Sequence, residues 1–159
     1  MEKHIYKANF NDLQEILQLQ RLSYLSEADL FRNKKIPPLT QTLDELIEEY
    51  NAGVILKLPD RNGKIIGSIR AKETNGTVYI GKLMVHPQHR RLGYGAMLLN
   101  EIERLHPKKR YELFTSTRSE QNIRFYQKMG YKIFKEKTVN DELQLVFFEK
   151  TDFDSFIGR

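Results

Sequence analysis

A strand, a loop and a helix follow one another between residues 78 and 105, and this succession constrains the fold more than any other stretch. The apolar run from Val78 to Val85 predicts a strand that ends before Pro87. Gly93 and Gly95 follow, at the point where helical periodicity begins. Apolar residues then recur at helical spacing: Met97, Leu98, Leu99, Ile102 and Leu105. Glycine has no Cβ, so the backbone at this junction has room to approach a ligand closely.

The start of this helix is a predicted anion-binding turn. First-turn N–H groups have no partner inside the helix, and the helix dipole is positive at the same end, so both favour a phosphate or diphosphate. No Gly-Lys-Ser/Thr follows, as a P-loop requires, and Leu98 stands where a dinucleotide-binding motif has its third glycine or alanine. Glycines at a strand-to-helix turn can also serve the backbone geometry alone. The two glycines by themselves do not distinguish this role from anion binding.

The rest of the chain predicts short strands and helices in the order β-α-α-β-β-β-α-β-α-β-β, in a single domain over residues 1–159. Strands are expected at 4–8, 54–58, 64–71, 77–85, 111–116, 131–136 and 143–149, and helices at 11–25, 43–52, 95–105 and 120–129. Thr42, with Glu45 three residues later, predicts a capping box for the second helix. A helix joins the strands at 77–85 and 111–116, so these two should be parallel. The expected class is α+β, with a mostly antiparallel sheet of about seven strands and about four flanking helices.

Composition excludes several classes of function. The 159 residues include no cysteine, which rules out disulfides, thiolate metal sites and a cysteine nucleophile. The four histidines form no i, i+4 pair, so no metal site is expected. No apolar run is long enough for a membrane span and no signal peptide is evident, so we expect a cytoplasmic protein without a membrane partner. The formal charge of +5 is spread among acidic residues, which disfavours a nucleic-acid partner.

Two motifs carry a resemblance to a known family. The pattern Arg90-x-x-Gly93-x-Gly95-Ala96, after a strand that ends Leu-Met-Val-His-Pro, resembles the acetyl-CoA-binding motif of GNAT superfamily N-acetyltransferases, Arg/Gln-x-x-Gly-x-Gly/Ala. The segment that starts at Asn122 and reads Asn-Ile-Arg-Phe-Tyr-Gln-Lys-Met-Gly-Tyr resembles the later motif of that family. The predicted element order is also that of the GNAT fold, so the resemblance covers nearly the whole chain. In that fold the parallel pair of strands is splayed at the cofactor site.

The resemblance implies an acetyltransferase that moves an acetyl group from acetyl-CoA to a primary amine, by direct attack in a ternary complex and without a metal. The backbone of residues 90–96 would bind the diphosphate, with Arg90 or Arg91 adding charged contacts. The strand end at 83–85 would pair with the pantetheine arm, and the Val85 N–H would meet the thioester carbonyl. The residues that the resemblance assigns to the cofactor are Leu83, Met84, Val85, Arg90, Arg91, Leu92, Gly93, Tyr94, Gly95, Ala96 and Asn122.

Tyr126 is the expected catalytic side chain, because its position matches the tyrosine that serves in this family as the general acid for the departing thiolate. A phenol with a pKa near 10 is a suitable proton source for a thiolate. From the sequence pattern alone, core packing on an amphipathic helix is an alternative role for this ring. Asn122 either bonds the pantetheine or opens the helix, with Ser119 as the alternative cap.

The general base is not assigned by the sequence. Many relatives carry a glutamate on the fourth strand, but residues 78–83 include no acid. A water relay, Glu73 on the neighbouring strand, or an amine that arrives neutral all remain open. His86 and His89 are expected to be structural or solvent-exposed. A non-catalytic acyl-CoA-binding or regulatory module is the alternative function, and the missing acid is its main support.

The acceptor is not identified by the sequence beyond a small molecule or a peptide with an amine. Tyr79 and the connector at 25–39 are expected to shape its pocket, and the connector's Arg32, Lys34 and Lys35 either bind an acidic group or form a solvated face. The chain is expected to be a monomer or a homodimer, with the last strand and the tail at 153–157 as a possible partner contact.

Overall fold

The computed structural model describes residues 4–31 and 37–151, with side chains for 4–25 and 37–151. The strands are β1 Tyr6–Lys7, β2 Val54–Pro59, β3 Ile65–Thr74, β4 Thr77–Val85, β5 Arg110–Ser116, β6 Lys132–Thr138 and β7 Gln144–Thr151. The helices are α1 Leu13–Phe31, α2 Pro37–Thr40, α3 Leu43–Ala52, α4 Tyr94–Arg104 and α5 Glu120–Lys128. Single 3₁₀ turns at Phe10–Asp12 and Pro87–His89 precede α1 and follow β4.

The strands form one seven-stranded sheet in the order β1-β2-β3-β4-β5-β7-β6. Every neighbouring pair is antiparallel except β4 and β5, which are parallel. The α+β class, the mostly antiparallel sheet and the single parallel pair are therefore confirmed. The parallel pair follows from the α4 crossover, because a strand that returns through a helix enters the sheet in the same direction.

The segment before α3 differs from the prediction. Helix α1 continues to Phe31, beyond its predicted end at 25, and the one-turn α2 makes five described α-helices where about four were expected. Strand β1 has two residues instead of the predicted five, because the 3₁₀ turn at Phe10–Asp12 already leads into α1. Arg32, Lys34, Lys35 and the tail at 153–157 lie outside the described residues.

Helices cover the two faces of the sheet with separate apolar clusters. On one face, α4 and α5 pack on a cluster that includes Ile66, Ile69, Leu98, Tyr126 and Phe148. On the other face, α1 and α3 pack on a cluster that includes Leu13, Ile16, Leu17, Leu46 and Met84. Each fully buried large apolar side chain contributes about 1.5–3 kcal/mol. This burial holds both helix layers on the sheet, and β4 contributes side chains to both clusters.

The predicted capping box at the start of α3 is present. The Glu45 N–H donates to Thr42 Oγ1 at 3.2 Å, and the Thr42 N–H donates to Glu45 Oε1 at 2.8 Å. The backbone hydrogen bond from Thr42 lowers the pKa of the Glu45 carboxyl group. Helix α3 starts where the sequence predicts and presents Glu49 to the sheet. In the ranges that the structure describes, no helix has both the length and the apolar character of a membrane span.

Candidate active site

The parallel strands β4 and β5 separate part of the way along their length. They pair at only three positions, from Thr77 opposite Arg110 to Tyr79 opposite Glu112. Strand β4 continues to Val85, while β5 continues to Ser116 with β7 on its other side. The edges of β4 and β5 that face each other beyond Tyr79 therefore have no ladder between them. This gap is the cleft that the predicted site requires.

A β-bulge in β4 marks the place where the strands separate. Ser68 of β3 pairs with Met84, whereas Arg70 pairs with Gly81, so Ile69 lies opposite two residues of β4. The additional residue is Lys82, whose φ of 51° lies in the left-handed region. A bulge bends its strand and increases the local twist. It turns the end of β4 away from β5.

The amide of Val85 faces the cleft. One residue later, the His86 N–H donates to Ile66 O of β3 at 2.7 Å. Successive N–H groups of a strand point to opposite sides, so the Val85 N–H points away from β3. The end of β4 therefore offers the Val85 N–H to an extended ligand.

The loop after β4 forms a concave group of amides at the start of α4. Arg91 and Gly93 have φ values of 64° and 85°, and residues that alternate with such left-handed positions form an anion-binding nest. Within 4–31 and 37–151, the backbone N–H groups of residues 90–96 donate no hydrogen bond to another backbone group. The positive end of the α4 dipole adds to their potential. The predicted anion-binding turn thus has the required conformation.

The two arginines of this loop differ in their contacts. The Arg90 guanidinium donates to Ser23 O of α1 at 3.0 Å and to Val85 O at 3.4 Å. It therefore ties the loop to α1 and to the end of β4. The Arg91 side chain is exposed, as is that of Leu92. Arg90 is exposed too, but of the pair Arg91 is the one whose guanidinium has no hydrogen bond to the described part of the chain.

Helix α5 brings the second motif to the same cleft. Ser119 occupies the N-cap position, so Asn122 does not open the helix. The Asn122 Nδ2 instead donates to Thr115 Oγ1 of β5 at 3.3 Å, which places it beside the far edge of the gap. Phe125, three residues later, packs against the first turn of α4 at Gly95.

Tyr126 lies in the apolar cluster between α5 and the sheet and is 9% exposed. Its ring centroid is 5.6 Å from that of Phe148 and 6.2 Å from that of Tyr131. Leu83 and Val85, at the end of β4, pack against the same cluster. The ring thus has the core position that the sequence pattern suggested as an alternative, and it belongs to the same cluster as the cleft edge.

Tyr131 has a different environment from its neighbour. Its hydroxyl donates to Glu103 Oε2 at 2.8 Å, and Lys150 Nζ donates to the other oxygen of that carboxylate at 2.9 Å. Burial, together with the adjacent Glu103 carboxylate, raises the pKa of Tyr131 far above its ordinary value. Tyr131 therefore stays protonated and links α4 to the sheet.

The two histidines after β4 contact each other and lie at the turn. His86 is buried, and its Nδ1 accepts a hydrogen bond from the Gln88 N–H at 3.1 Å. Burial lowers the pKa of His86, and the nearby Lys64 and Arg90 lower it further. The ring of His89 meets that of His86 edge-on, at 5.6 Å between centroids. His86 has the structural role that was expected of it, as the cap of the 3₁₀ turn.

Glu73, one of the alternatives for the base, lies at the wrong end of the sheet. It pairs with Val78, which is where β4 and β5 are still joined. Its Oε2 is 3.1 Å from Lys109 Nζ. The cleft opens at the opposite end of β4.

Comparison with known proteins gives the family. The model of the acetyltransferase (GNAT) family matches residues 13–131, which include the splayed strands, the nest and α5. The chain belongs to the acetyltransferase (GNAT) family. No curated protein sequence is significantly similar to this GNAT chain.

Solved structures share the GNAT fold over nearly the full length. PaiA N-acetyltransferase from Thermoplasma acidophilum, in complex with coenzyme A, has a TM-score of 0.80 at 20% identity, over 95% of this chain and 99% of its own. The ribosomal-protein-S18-alanine N-acetyltransferase from Escherichia coli has a TM-score of 0.75 at 13% identity, over 94% of each chain. A phosphinothricin acetyltransferase from Sinorhizobium meliloti, in complex with AcCoA, has a TM-score of 0.74 at 16% identity, over 95% and 89%.

The sequence reasoning missed a polar cluster beneath α1 and α3. Arg70 of β3 is 5% exposed, and its guanidinium contacts Gln20 of α1, Gln41, and Glu49 of α3. Burial lowers the pKa of Arg70, and Glu49 opposes this, but arginine stays charged in proteins. Lys82 faces the same cluster from the bulge. An arginine directly between the apolar residues Ile69 and Ala71 of a predicted strand was the available signal.

Proposed function

We propose that this GNAT chain binds acetyl-CoA and transfers its acetyl group to a primary amine. The observation that carries the proposal is the unpaired edge of β4, which runs directly into the nest at the start of α4. An extended arm with a diphosphate at one end and a thioester at the other matches this succession of a strand edge and an anion site. GNAT structures with TM-scores of 0.80 and 0.74 contain coenzyme A and AcCoA, which supports the same ligand here.

The diphosphate would bind to the backbone of residues 90–96. Their N–H groups donate to no other backbone group within the described chain, and amides at a helix N-terminus suit a doubly charged group. Arg91 adds an exposed positive charge, while Arg90 fixes the loop through Ser23 and Val85. Leu92, Tyr94 and Ala96 contribute through their backbone in the same turn.

The pantetheine arm would pair with the end of β4 as an added strand. The backbone groups of Leu83 and Val85 line that edge, with Met84 between them, and the Val85 N–H points into the gap. Asn122, which donates to Thr115 at the opposite edge, would offer its amide to a polar group of the arm. This arrangement fixes the reacting group before the acceptor arrives.

Acetyl-CoA supplies an activated acyl group as a thioester when it is bound. The chain contributes the Val85 N–H, which would donate to the thioester carbonyl oxygen as negative charge develops there. Tyr126 would hold the proton on its hydroxyl and give it to the thiolate that leaves. The acceptor amine loses its proton to water, or arrives neutral, because β4 carries no carboxylate and Glu73 lies at the other end of the strand.

The second candidate is a non-catalytic acyl-CoA-binding module. It has the same cleft and nest, and the absence of an acid from the sequence of β4 favours it. The two candidates differ only in whether an amine is acetylated.

Two measurements test the proposal in sequence. Acetyl-CoA at 100 times its Kd should raise the free energy of unfolding by about 2.7 kcal/mol, and acetyl-pantetheine, which lacks the diphosphate, should give a smaller shift. Release of free thiol is then measured with a panel of primary amines, with hydrolysis in the absence of amine as the baseline. No stabilisation contradicts both candidates. Stabilisation without thiol release for any amine leaves the binding module.

A further inference from the structure

Arg70 is a buried cation whose hydrogen bonding is incomplete. Its Nη1 donates to Glu49 Oε2 at 2.9 Å and to Gln41 Oε1 at 3.2 Å, and its Nη2 donates to Gln20 Oε1. Its Nε is buried and has no hydrogen-bond partner in the described part of the chain. A buried donor without a partner costs about 1–3 kcal/mol. The described partners of Arg70 therefore satisfy its guanidinium only in part.

Lys82 adds a second cation next to Arg70. Its side chain is half-buried, and it makes no hydrogen bond or ion pair within residues 4–31 and 37–151. Burial lowers the pKa of Lys82, and the positive charge of Arg70 lowers it further, while the Glu49 carboxylate raises it. Among the side chains that the structure describes, Glu49 is therefore the carboxylate that acts on both cations, so two positive charges share one negative charge there.

The backbone at Lys82 gives an independent reason to assign it a role. Its φ of 51° costs a residue with a Cβ about 1–2 kcal/mol, and glycine avoids that cost. The chain has glycine at the adjacent position 81, yet it has lysine at the strained one. Strain retained at one residue of a cleft points to a function of that side chain.

A hollow lies beside these cations. Gly81 pairs with Arg70, and a Cβ on Gly81 would meet no atom within 4 Å. Tyr79 pairs with Glu112, and Gly81 and Phe114 lie two residues further along their strands, so these side chains share one face of the sheet. Tyr79 is 46% exposed and Phe114 is 53% exposed. The cations, the hollow and two exposed aromatic rings therefore lie on one face of the sheet, together with Glu112, which forms an ion pair with Arg110. It lies on the face opposite α4, next to the bulge where β4 leaves β5.

We propose that this hollow binds a carboxylate of the acceptor, so that the amines this enzyme acetylates also carry an acidic group. Lys82 donates to the carboxylate, and Arg70 supplies the positive charge behind it. The inference rests on the proposed transfer of acetyl groups to amines, and it adds the class of acceptor. A carboxylate in this position adds a second negative charge beside the two cations. Tyr79 and Phe114 contact the apolar part of the same molecule.

The test compares each acidic amine with its carboxamide, with kcat/KM expressed per neutral amine because a carboxamide lowers the pKa of a neighbouring amino group. L-alanine, L-phenylalanine and γ-aminobutyrate are each paired with their carboxamide, and kcat/KM is measured for both members of each pair. The acids should be preferred in the unaltered enzyme. Lys82→Met should lower kcat/KM for the acids about tenfold or more, mainly through KM, because it removes a charged hydrogen bond. The same variant should leave the carboxamides unchanged. Arg70 is kept, since it also joins α1 and α3 to the sheet.

Lys72→Met is the matched control. Lys72 lies on β3, pairs with Tyr79 at the edge of the hollow, and is exposed, so the variant removes the same charge from the same face while Lys82 and Arg70 stay in place. This variant should change kcat/KM for neither the acids nor the carboxamides. The inference is overturned if carboxamides are used as well as acids, or if Lys82→Met affects both members of a pair equally. In either of those cases the acetyl transfer itself would remain established.

A binding measurement separates this inference from the proposed function. If no amine in the panel is acetylated, the N-acetylated forms of the same acids and carboxamides are added to the protein in the presence of coenzyme A. A rise in melting temperature with the acids only, absent in Lys82→Met, supports the carboxylate site even though transfer has failed. No rise with any acid contradicts the site.

Discussion

The ring of Phe125 lies against Gly95, with its Cζ 3.6 Å from the position that a Cβ on Gly95 would occupy. Phe125 belongs to the motif on α5, and Gly95 to the motif at the start of α4. The two sequence motifs are thus in contact, although about thirty residues and a strand separate them. The contact fixes the first turn of α4 relative to the helix that carries Asn122 and Tyr126.

Gly95→Ala should be accepted by this packing. A distance of 3.6 Å is an ordinary van der Waals contact, and Gly95 lies in the first turn of a helix, where alanine is favoured. We expect the free energy of unfolding to rise by about 0.5 kcal/mol. Acetyl-CoA affinity should be retained, since the motif admits alanine at this position. Urea unfolding and calorimetric titration measure the two quantities, and a loss of stability would contradict the packing described.

Gly93→Ala, in contrast, should weaken acetyl-CoA binding, and Gly63→Ala is its control. The two glycines have φ values of 85° and 86°, and a Cβ on either would meet no atom within 4 Å. Each variant should therefore lose about 1–2 kcal/mol of stability from the left-handed backbone. Gly93 lies in the nest, whereas Gly63 lies in the turn between β2 and β3.

Acetyl-CoA affinity distinguishes the pair. Gly93→Ala should weaken binding about tenfold or more, because displaced amides lose charge-assisted hydrogen bonds to the diphosphate. Gly63→Ala should bind as the unaltered protein does. Equal affinities for both variants would show that the nest does not hold the diphosphate.

Much of the architecture was accessible from the sequence because local signals and packing agree. The period of Leu98, Leu99 and Ile102 predicted the buried face of α4, and all three are buried. Thr42 and Glu45 predicted the start of α3, because both groups of a capping box are visible in sequence. The helix between β4 and β5 predicted their parallel pairing.

The bulge and the polar cluster could not be predicted from the sequence. Lys82 reads as one residue of an apolar run, and a bulge is visible only when two strands are placed in register. Arg70 is paired with Gln20, Gln41 and Glu49, which lie 50, 29 and 21 residues away along the chain. Contacts over such separations depend on the tertiary arrangement of α1 and α3, and α1 ended later than its sequence pattern predicted.

Tyr126→Phe should separate chemistry from binding. A general acid contributes about 10²–10⁴ in rate, so kcat should fall at least a hundredfold while acetyl-CoA affinity is unchanged. Tyr131→Phe is the matched control, because the two rings are 6.2 Å apart in the same cluster. It removes the hydrogen bond to Glu103 and should cost about 1–2 kcal/mol of stability without a comparable fall in kcat. Unchanged turnover in Tyr126→Phe would remove this residue as the acid.

The His86→Asn variant should lose less free energy of unfolding than the unaltered protein when the pH falls from 7.5 to 5.5. Burial keeps the pKa of His86 below its ordinary value of 6.5, so the unfolded chain binds a proton first as the pH falls. The contribution of neutral His86 is thus complete above pH 6.5 and is lost as the pH falls through the folded pKa. Asparagine keeps an acceptor for the Gln88 N–H and does not titrate. Urea unfolding at pH 7.5 and 5.5 should show a smaller decrease for the variant, and equal decreases would assign the pH dependence to other groups.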